Sequence, residues 1–488
     1  MKEWILLVPV LWPIIAGGGL YFFPDKHWST KKCLIFLATM LNTILVYTML
    51  IRGVSGVCRT IEMAHGLVIS FHIDGFSKIF AGIVAGLWPL ATIYAFEYMK
   101  EEERQSLFFS FYTMTYGVCI GIAFAANLMT LYMFYELLTL STLTLVIHKL
   151  DRPSILAARK YMVYSLAGAA FAFIGFMFVL RYGTTIDFVY GGVLDKNLIA
   201  GKETQLYVIF ILAFLGFGVK AAIFPFHGWL PTASVAPTPV TALLHAVAVV
   251  KAGAFAIMRI TYYSFGTDFL QGTFAQYTMM AFAIVTILFA SSRAVKEIHL
   301  KRRLAYSTIS NLSYIIFAAS LMTPRGFEGG MAHMVSHAVM KITLFFCAGA
   351  IMHQTGKEYI YELKGLGNQM PFTFGCFTLA SAAVMGVPLL SGFVSKWVII
   401  TAAAQTARPL AFVGMMAILF SAFLTAVYLF SVVVKAFFRQ GKEETEIYHD
   451  PNWYMKGPIL LLCFVVIGIG VHSAPLLDLL SKVANGML

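Results

Sequence analysis

The feature that most limits this chain is the recurrence of unbroken apolar stretches of about twenty residues, such as KYMVYSLAGAAFAFIGFMFVLR at 160–181. A run of that length lets a helix cross the hydrocarbon layer, whereas a barrel strand needs only about ten residues in strict alternation. In water such a helix would have no polar face to turn outward. Composition agrees, since only 12% of the 488 residues are charged and 59% are hydrophobic, against about 25% charged in a soluble domain. The chain therefore reads as an all-α polytopic membrane protein.

The runs predict about fourteen transmembrane helices, at 4–23, 32–51, 76–98, 106–126, 127–148, 160–181, 204–230, 239–263, 274–292, 304–322, 330–353, 372–399, 408–438 and 456–476. At roughly 22 residues each, they leave about 180 residues for loops and ends, too few for a folded domain outside the membrane. Two spans nearly touch at Asn127, and 4–23 reads as a retained span, because its loss would leave an odd set. Lys and Arg are twice as frequent in loops after odd-numbered spans as in the remaining loops and termini, with Arg293, Lys296, Lys301, Arg302 and Arg303 the densest cluster. Positive loops stay cytoplasmic, so both termini are expected outside. The net charge of +12 is mostly this topological signal and not a nucleic-acid surface. The cysteines Cys33, Cys58, Cys119, Cys347, Cys376 and Cys463 show no CxxC and no regular spacing, and read as packing residues with no metal or disulfide.

A charged group at mid-membrane costs at least about 2.5 kcal/mol, so each one needs a partner, water or a task. Glu136 is the acidic exception, about nine residues into its span. Lys220, Lys251, Lys341 and Lys396 join it. A lysine near a span end can snorkel or form a structural ion pair. Glu136 and Lys251 lie too near the middle for that reading, and are candidates for function. His333, His337 and Lys341 follow i, i+4, i+8 spacing and share one helix face, with successive members about 6 Å apart along the axis. Histidine takes up and releases protons near neutral pH, so this stripe suits proton hopping; the bland alternative is a set of hydrogen-bonded core histidines. His245 is a weaker candidate, and His148, His353 and His472 sit near span ends at the interface.

Two spans are interrupted. The seventh carries Pro225 in FPFHGWLP, with Pro231, Pro237 and Pro239 following, and the twelfth carries Gly386, Pro388 and Gly392. Proline removes a donor and frees a carbonyl, and in lipid those groups need protein or a water-lined cavity. Paired breaks in two halves mark ion sites in repeat-built transporters. These two are five spans apart, so a five-helix repeat relating them would be inverted, and each has its own lysine beside the break.

The stretch GFGVKAAIFPFHGWLPTASVAPTPVTALLHAVAVVKAG at 216–253 resembles the antiporter-like subunits shared by respiratory complex I, Mrp-type cation/proton antiporters and membrane-bound hydrogenases. YELLTLSTL (135–143), RRLAYSTISNLSYI (302–315), AHMVSHAVMKITLFFCAGAI (332–351) and GVPLLSGFVSKW (386–397) match in the same order, so the resemblance covers about spans 3–13. It implies fourteen helices, two inverted five-helix repeats, broken seventh and twelfth helices and no bound cofactor. The chain then divides into N-terminal helices (1–105), a first repeat (106–263), a second repeat (274–438) and a C-terminal helix (456–488). Glu136 and Lys220 resemble the family's modulating acid–lysine pair and Lys251 its central lysine. His333, His337 and Lys341 match the eleventh-helix stripe, and Lys396 the twelfth-helix relay residue. Counting along the spans alone sets Glu136 and Lys220 at depths differing by about 12 Å.

Thr232 stands where many members have an acid, so that contact does not transfer. Lysine at 396 leans toward the Mrp D-type or hydrogenase-associated members, since the M-type subunit of complex I tends to carry glutamate. The chain also ends soon after span 14, without room for the long lateral helix of the L-type subunit. The resemblance implies a proton- or Na+/H+-translocating subunit in a prokaryotic cytoplasmic membrane. It would work beside other membrane subunits of a respiratory, hydrogenase or Mrp-type complex, with no redox chemistry of its own. Two other classes are a redox subunit binding haem or quinone and a stand-alone solute carrier. A bis-His haem needs facing helices at matched depth, and only His245 could complement the eleventh-helix pair.

Overall fold

The computed structural model describes residues 3–23, 28–64, 66–438 and 447–487. Helices dominate: α1 (Glu3–Phe22), α2 (Trp28–Arg52), α3 (Gly75–Tyr98), α4 (Gln105–Phe124), α5 (Leu128–Val146), α6 (Arg152–Tyr182) and α7 (Glu203–Lys220). A short α8 (Trp229–Ala233) precedes α9 (Thr238–Ala246) and α10 (Val249–Arg259). Then come α11 (Phe274–Lys296), α12 (Leu300–Ser320), α13 (Pro324–Thr355), α14 (Pro371–Met385), α15 (Ser391–Gln405), α16 (Pro409–Phe438), α17 (Trp453–Val471) and α18 (Ala474–Ala484). The protein is an integral membrane protein of all-α architecture.

Among the described residues twelve helices are long and apolar enough to cross a membrane, two fewer than the expected spans. The tenth expected span is α12, which opens with Lys301, Arg302 and Arg303 and carries Ser307, Ser310 and Asn311. It tolerates them because protein and not lipid surrounds it, with nearly every residue buried. The twelfth is divided between α14 and α15, each too short alone.

Burial sorts the helices into an inner and an outer set. The most apolar stretch of α13 is 94% buried and the α9–α10 segment wholly so, whereas α1, α2 and α17 bury only 33%. α13 touches α3, α9, α12, α14, α15, α17 and α18, so it is the axis of the bundle. Any group on α13 is therefore shielded from lipid on nearly every side.

The segment between α2 and α3, expected as a loop, contains an antiparallel hairpin of β1 (Cys58–Ala64) and β2 (Leu67–Phe71). It is pinned to the start of α5: Asn127 accepts from Thr130 N at 2.8 Å, as an N-cap does, and its amide donates to Val68 O and Ser70 Oγ, both at 2.7 Å. Leu128 N donates to Ile186 O at 3.0 Å. The start of α5 is thus tucked behind the hairpin and the 183–194 loop.

Three helical passes are broken. The seventh stops at Lys220 and resumes at Phe226 after Pro225. The twelfth stops at Met385, passes Gly386 (φ +102°) and Pro388, and resumes at Ser391. The third break, at Val247–Ala248 between α9 and α10, was not expected, and it leaves Lys251 in the first turn of α10.

Candidate functional site

Lys220 is the last residue of α7, 1% exposed, and its Nζ lies 3.6 Å from Glu136 Oε1 on α5. The two groups of the acid–lysine pair that the resemblance implies are thus in contact, which counting along the spans left open. The ammonium also sits 3.4 Å from the centroid of the Tyr135 ring and donates to Tyr135 O, so the cation has an acid, a carbonyl and a π-face around it. Glu136 is one-quarter exposed and lies on the rim of an apolar groove of about 670 Å³ with Trp4, Leu137 and Phe173.

The next break carries Lys251, fully buried, whose Nζ lies 2.5 Å from His337 Nδ1 on α13. One turn along α13, His333 stands with its ring centroid 5.7 Å from that of His337, and its Nδ1 is 2.9 Å from Ser395 Oγ on α15. One turn the other way, Lys341 Nζ donates to Ser307 Oγ at 2.6 Å and Leu304 O at 3.3 Å on α12. The stripe thus lies on one face, and each member reaches a different neighbouring helix.

Lys396 closes the line at the break in the twelfth pass. Its Nζ donates to Val384 O at 2.7 Å and Met385 O at 2.9 Å, the carbonyls left without helical partners where α14 ends. A cation at a helix C-terminus is stabilised by those carbonyl dipoles. Tyr314 of α12 bridges back to the histidines: its ring centroid is 5.4 Å from Lys396 Nζ and 5.3 Å from the His333 ring. Its hydroxyl donates to Ser421 Oγ at 2.6 Å.

Three expected residues stand apart from these contacts. His245 is wholly buried against the Phe345 ring, 4.8 Å away, and neither ring nitrogen has a partner. Pro225 and Pro388 lie within the breaks themselves, and proline carries no titratable group. Sequence reasoning missed Tyr135, Ser307, Tyr314 and Ser395, which nothing in their spacing distinguishes from packing residues. It also did not single out Arg259, which lies inside the expected span 239–263. The structure buries Arg259 to 1% exposure and pairs it with Asp74, its Nη2 donating to Asp74 Oδ1 at 2.7 Å and Ser77 Oγ at 2.9 Å. The available signal was Asp74 three residues before Ser77, an N-cap pattern at the start of α3. Among the described residues no three His, Cys, Asp or Glu side chains gather as a metal site.

A polytopic bundle with a buried lysine–histidine file crossing three broken helices defines the class: a membrane protein built around an internal line of titratable groups. The family described as NADH:quinone oxidoreductase/Mrp antiporter, TM, matches residues 125–425, and the complex I chain 5 N-terminus family matches residues 63–109. The chain belongs to the NADH:quinone oxidoreductase/Mrp antiporter family. It is 32% identical over 420 residues to a probable K(+)/H(+) antiporter subunit of Rhizobium meliloti, covering 83% of this chain and 40% of that protein. It is 31% identical over 512 residues to an Na(+)/H(+) antiporter subunit of Alkalihalophilus pseudofirmus, covering 100% of this chain and 60% of the relative. The chain therefore spans about half the length of these two relatives. In fold it is similar to a chain of the membrane-bound sulfane sulfur reductase, an archaeal respiratory membrane complex, with TM-score 0.86 at 24% identity over 99% and 97% of the two chains. A chain of Thermus thermophilus respiratory complex I gives 0.82 at 22%, over 99% and 98%.

Proposed function

We propose that the chain moves protons, or exchanges Na+ against H+, through the membrane as one subunit of a larger respiratory, hydrogenase or Mrp-type complex. The observation that carries this reading is the 2.5 Å contact between Lys251 and His337, because it joins two helices' titratable groups inside the bundle. Glu136 and Lys220 form one end of the line, Lys251, His337, His333 and Lys341 its middle, and Lys396 its other end. His245 is a side station. His333 and His337 each keep a buried Nε2 without a protein partner, and water molecules suit such positions as bridges.

The mechanism is electrostatic. A carboxylate beside a lysine favours its charged form, so altering the Glu136–Lys220 separation alters how tightly the proton is held. A charge or conformational change in a neighbouring subunit, felt at the exposed side of Glu136, would drive a proton from Lys220 toward Lys251 and onward. Moving one charge across 100 mV involves about 2.3 kcal/mol, within reach of one ion pair made or broken inside a protein.

The same reading includes fourteen membrane passes, two inverted five-helix repeats (106–263 and 274–438) between N-terminal helices (1–105) and a C-terminal helix (456–488), a prokaryotic cytoplasmic membrane, and both termini outside. Its test is ion movement by the assembled complex in vesicles, with Lys251→Ala and Glu136→Ala introduced separately. Both variants are expected to assemble and to lose most ΔpH formation. Assembly with wild-type pumping would remove the relay.

A further inference from the structure

A groove of about 780 Å³ opens on the lipid-facing flank of the bundle, away from the titratable line. Its walls are α2, α3, α13, α17 and α18, with Leu87, Leu90, Leu461 and Val465 among the lining residues. The wall hydroxyl, Tyr47 OH, is already spent on Gly82 O at 2.9 Å. Charge enters only through Lys78, in the first turn of α3, and Lys482, on α18. On the fourteen-pass reading proposed above, on which this step rests, α3 begins on the side where α17 ends and α18 follows, which puts Lys78 and Lys482 at the same end of the groove. Among the described residues neither forms an ion pair. From Lys78 to Leu90 the apolar wall runs roughly 18 Å along α3.

We propose that this groove is a binding site for an anionic glycerophospholipid, its phosphate held between Lys78 and Lys482 and an acyl chain laid along α3 and α17. The polarity of the groove is that of a lipid: one charged end and a long apolar remainder. An apolar helix of a protein partner would cover the walls and leave two ammonium groups facing nothing. A zwitterionic lipid would bring its own cation to the two lysines. α18 fits the interfacial level this requires, because Leu476, Leu477, Leu479 and Leu480 crowd one side while Asp478 and Lys482 face out. Tyr190 OH fastens its end through a 2.5 Å hydrogen bond to Ala484 O, so Lys482 is held and not frayed.

The experiment places the full chain, in its complex, in nanodiscs of equal phosphatidylglycerol and phosphatidylcholine and measures the lipid retained after mild extraction by native mass spectrometry. Two lysines at a membrane surface predict about tenfold or greater preference for phosphatidylglycerol. Lys78→Gln with Lys482→Gln is expected to bring the preference close to one while leaving the melting temperature unchanged. Lys78→Arg with Lys482→Arg is expected to keep it. Leu90→Trp, which fills the chain-bearing end, is expected to reduce retention of both lipids. Equal retention of the two lipids by the wild type overturns the proposal. So does unchanged preference in the double Gln variant, or a cross-link from Leu90 to a protein helix in the assembled complex.

Discussion

Lys251 Nζ and His337 Nδ1 lie 2.5 Å apart, although 86 residues separate them in the chain. Among the described residues neither pairs with a carboxylate, and both are wholly buried. One hydrogen bond therefore couples them, and whichever holds the proton sets what the other can accept. The break at Val247–Ala248 makes this possible by ending one helix and starting another just before Lys251.

If the pair works as one station in a series, its two members should fail together. Lys251→Ala and His337→Ala are each expected to lower ion movement by the reconstituted complex about tenfold or more. The double variant should be no worse than the poorer single variant, because a series broken once is already broken. A pH-sensitive dye inside vesicles measures all three. Multiplying losses would show instead that the two groups act independently of each other.

Much of this arrangement was legible in the sequence because lipid makes misplaced charge conspicuous. Glu136, Lys220, Lys251, Lys341 and Lys396 stood out against apolar neighbours, and i, i+4, i+8 spacing was enough to set His333, His337 and Lys341 on one face. Two of the three helix breaks carried Pro or Gly. The third did not, since Val247 and Ala248 are ordinary helix residues and the interruption comes from tertiary packing. Conversely, Pro13, Pro89 and Pro458 sit inside continuous helices. Depth was the least legible quantity, because it depends on where a helix starts relative to the folded loops beside it. The neutral partners, Tyr314, Ser307 and Ser395, look like any core residue until the fold brings a cation to them.

The space between the first two stations is held by a glycine. A Cβ on Gly253 would stand 2.5 Å from Ala221 N and 2.8 Å from the Lys220 carbonyl carbon, closer than atoms pack. Gly253→Ala must therefore push α10 away from the end of α7, moving Lys251 relative to Lys220. We expect a loss of about 1–3 kcal/mol of stability, seen as a lower melting temperature in detergent, together with slower ion movement by the surviving complex. Gly375→Ala is the control: a Cβ there meets nothing within 4 Å, and both readings should stay at wild type.

Outside the membrane, Asp151 caps α6 by accepting from Ser154 N at 2.8 Å. The hydrogen bonds from Ser154 hold its carboxyl below the usual carboxylate value. Because the folded value is the lower one, the cap contributes fully above about pH 4 and is lost as pH falls through the folded value. Asp151→Ala is expected to cost about 1 kcal/mol at neutral pH, with the deficit against wild type shrinking toward pH 3. Asp151→Asn, still able to accept from Ser154 N, should lie close to wild type at pH 7 and lack the pH dependence. Melting curves of the three proteins across that range decide it.

Arg259 and Asp74 tie the far end of α10 to the start of α3, two turns beyond Lys251. Burying a guanidinium costs several kcal/mol, repaid here by the paired hydrogen bonds to Asp74 and by the rings of Tyr263, Phe255, Phe188 and Phe76 within 4.5–5.2 Å of its carbon. Removing only the acid strands the cation. Asp74→Ala is therefore expected to destabilise the chain by about 3–5 kcal/mol, whereas Asp74→Leu with Arg259→Met, which leaves no charge behind, should recover most of that loss. Among the described residues no hydrogen bond or ion pair joins this pair to the lysine–histidine line, so ion movement per assembled complex should be close to wild type in the double variant. A stable double variant that no longer moves ions would instead make Arg259 part of the route, with Asp74 as its counter-charge.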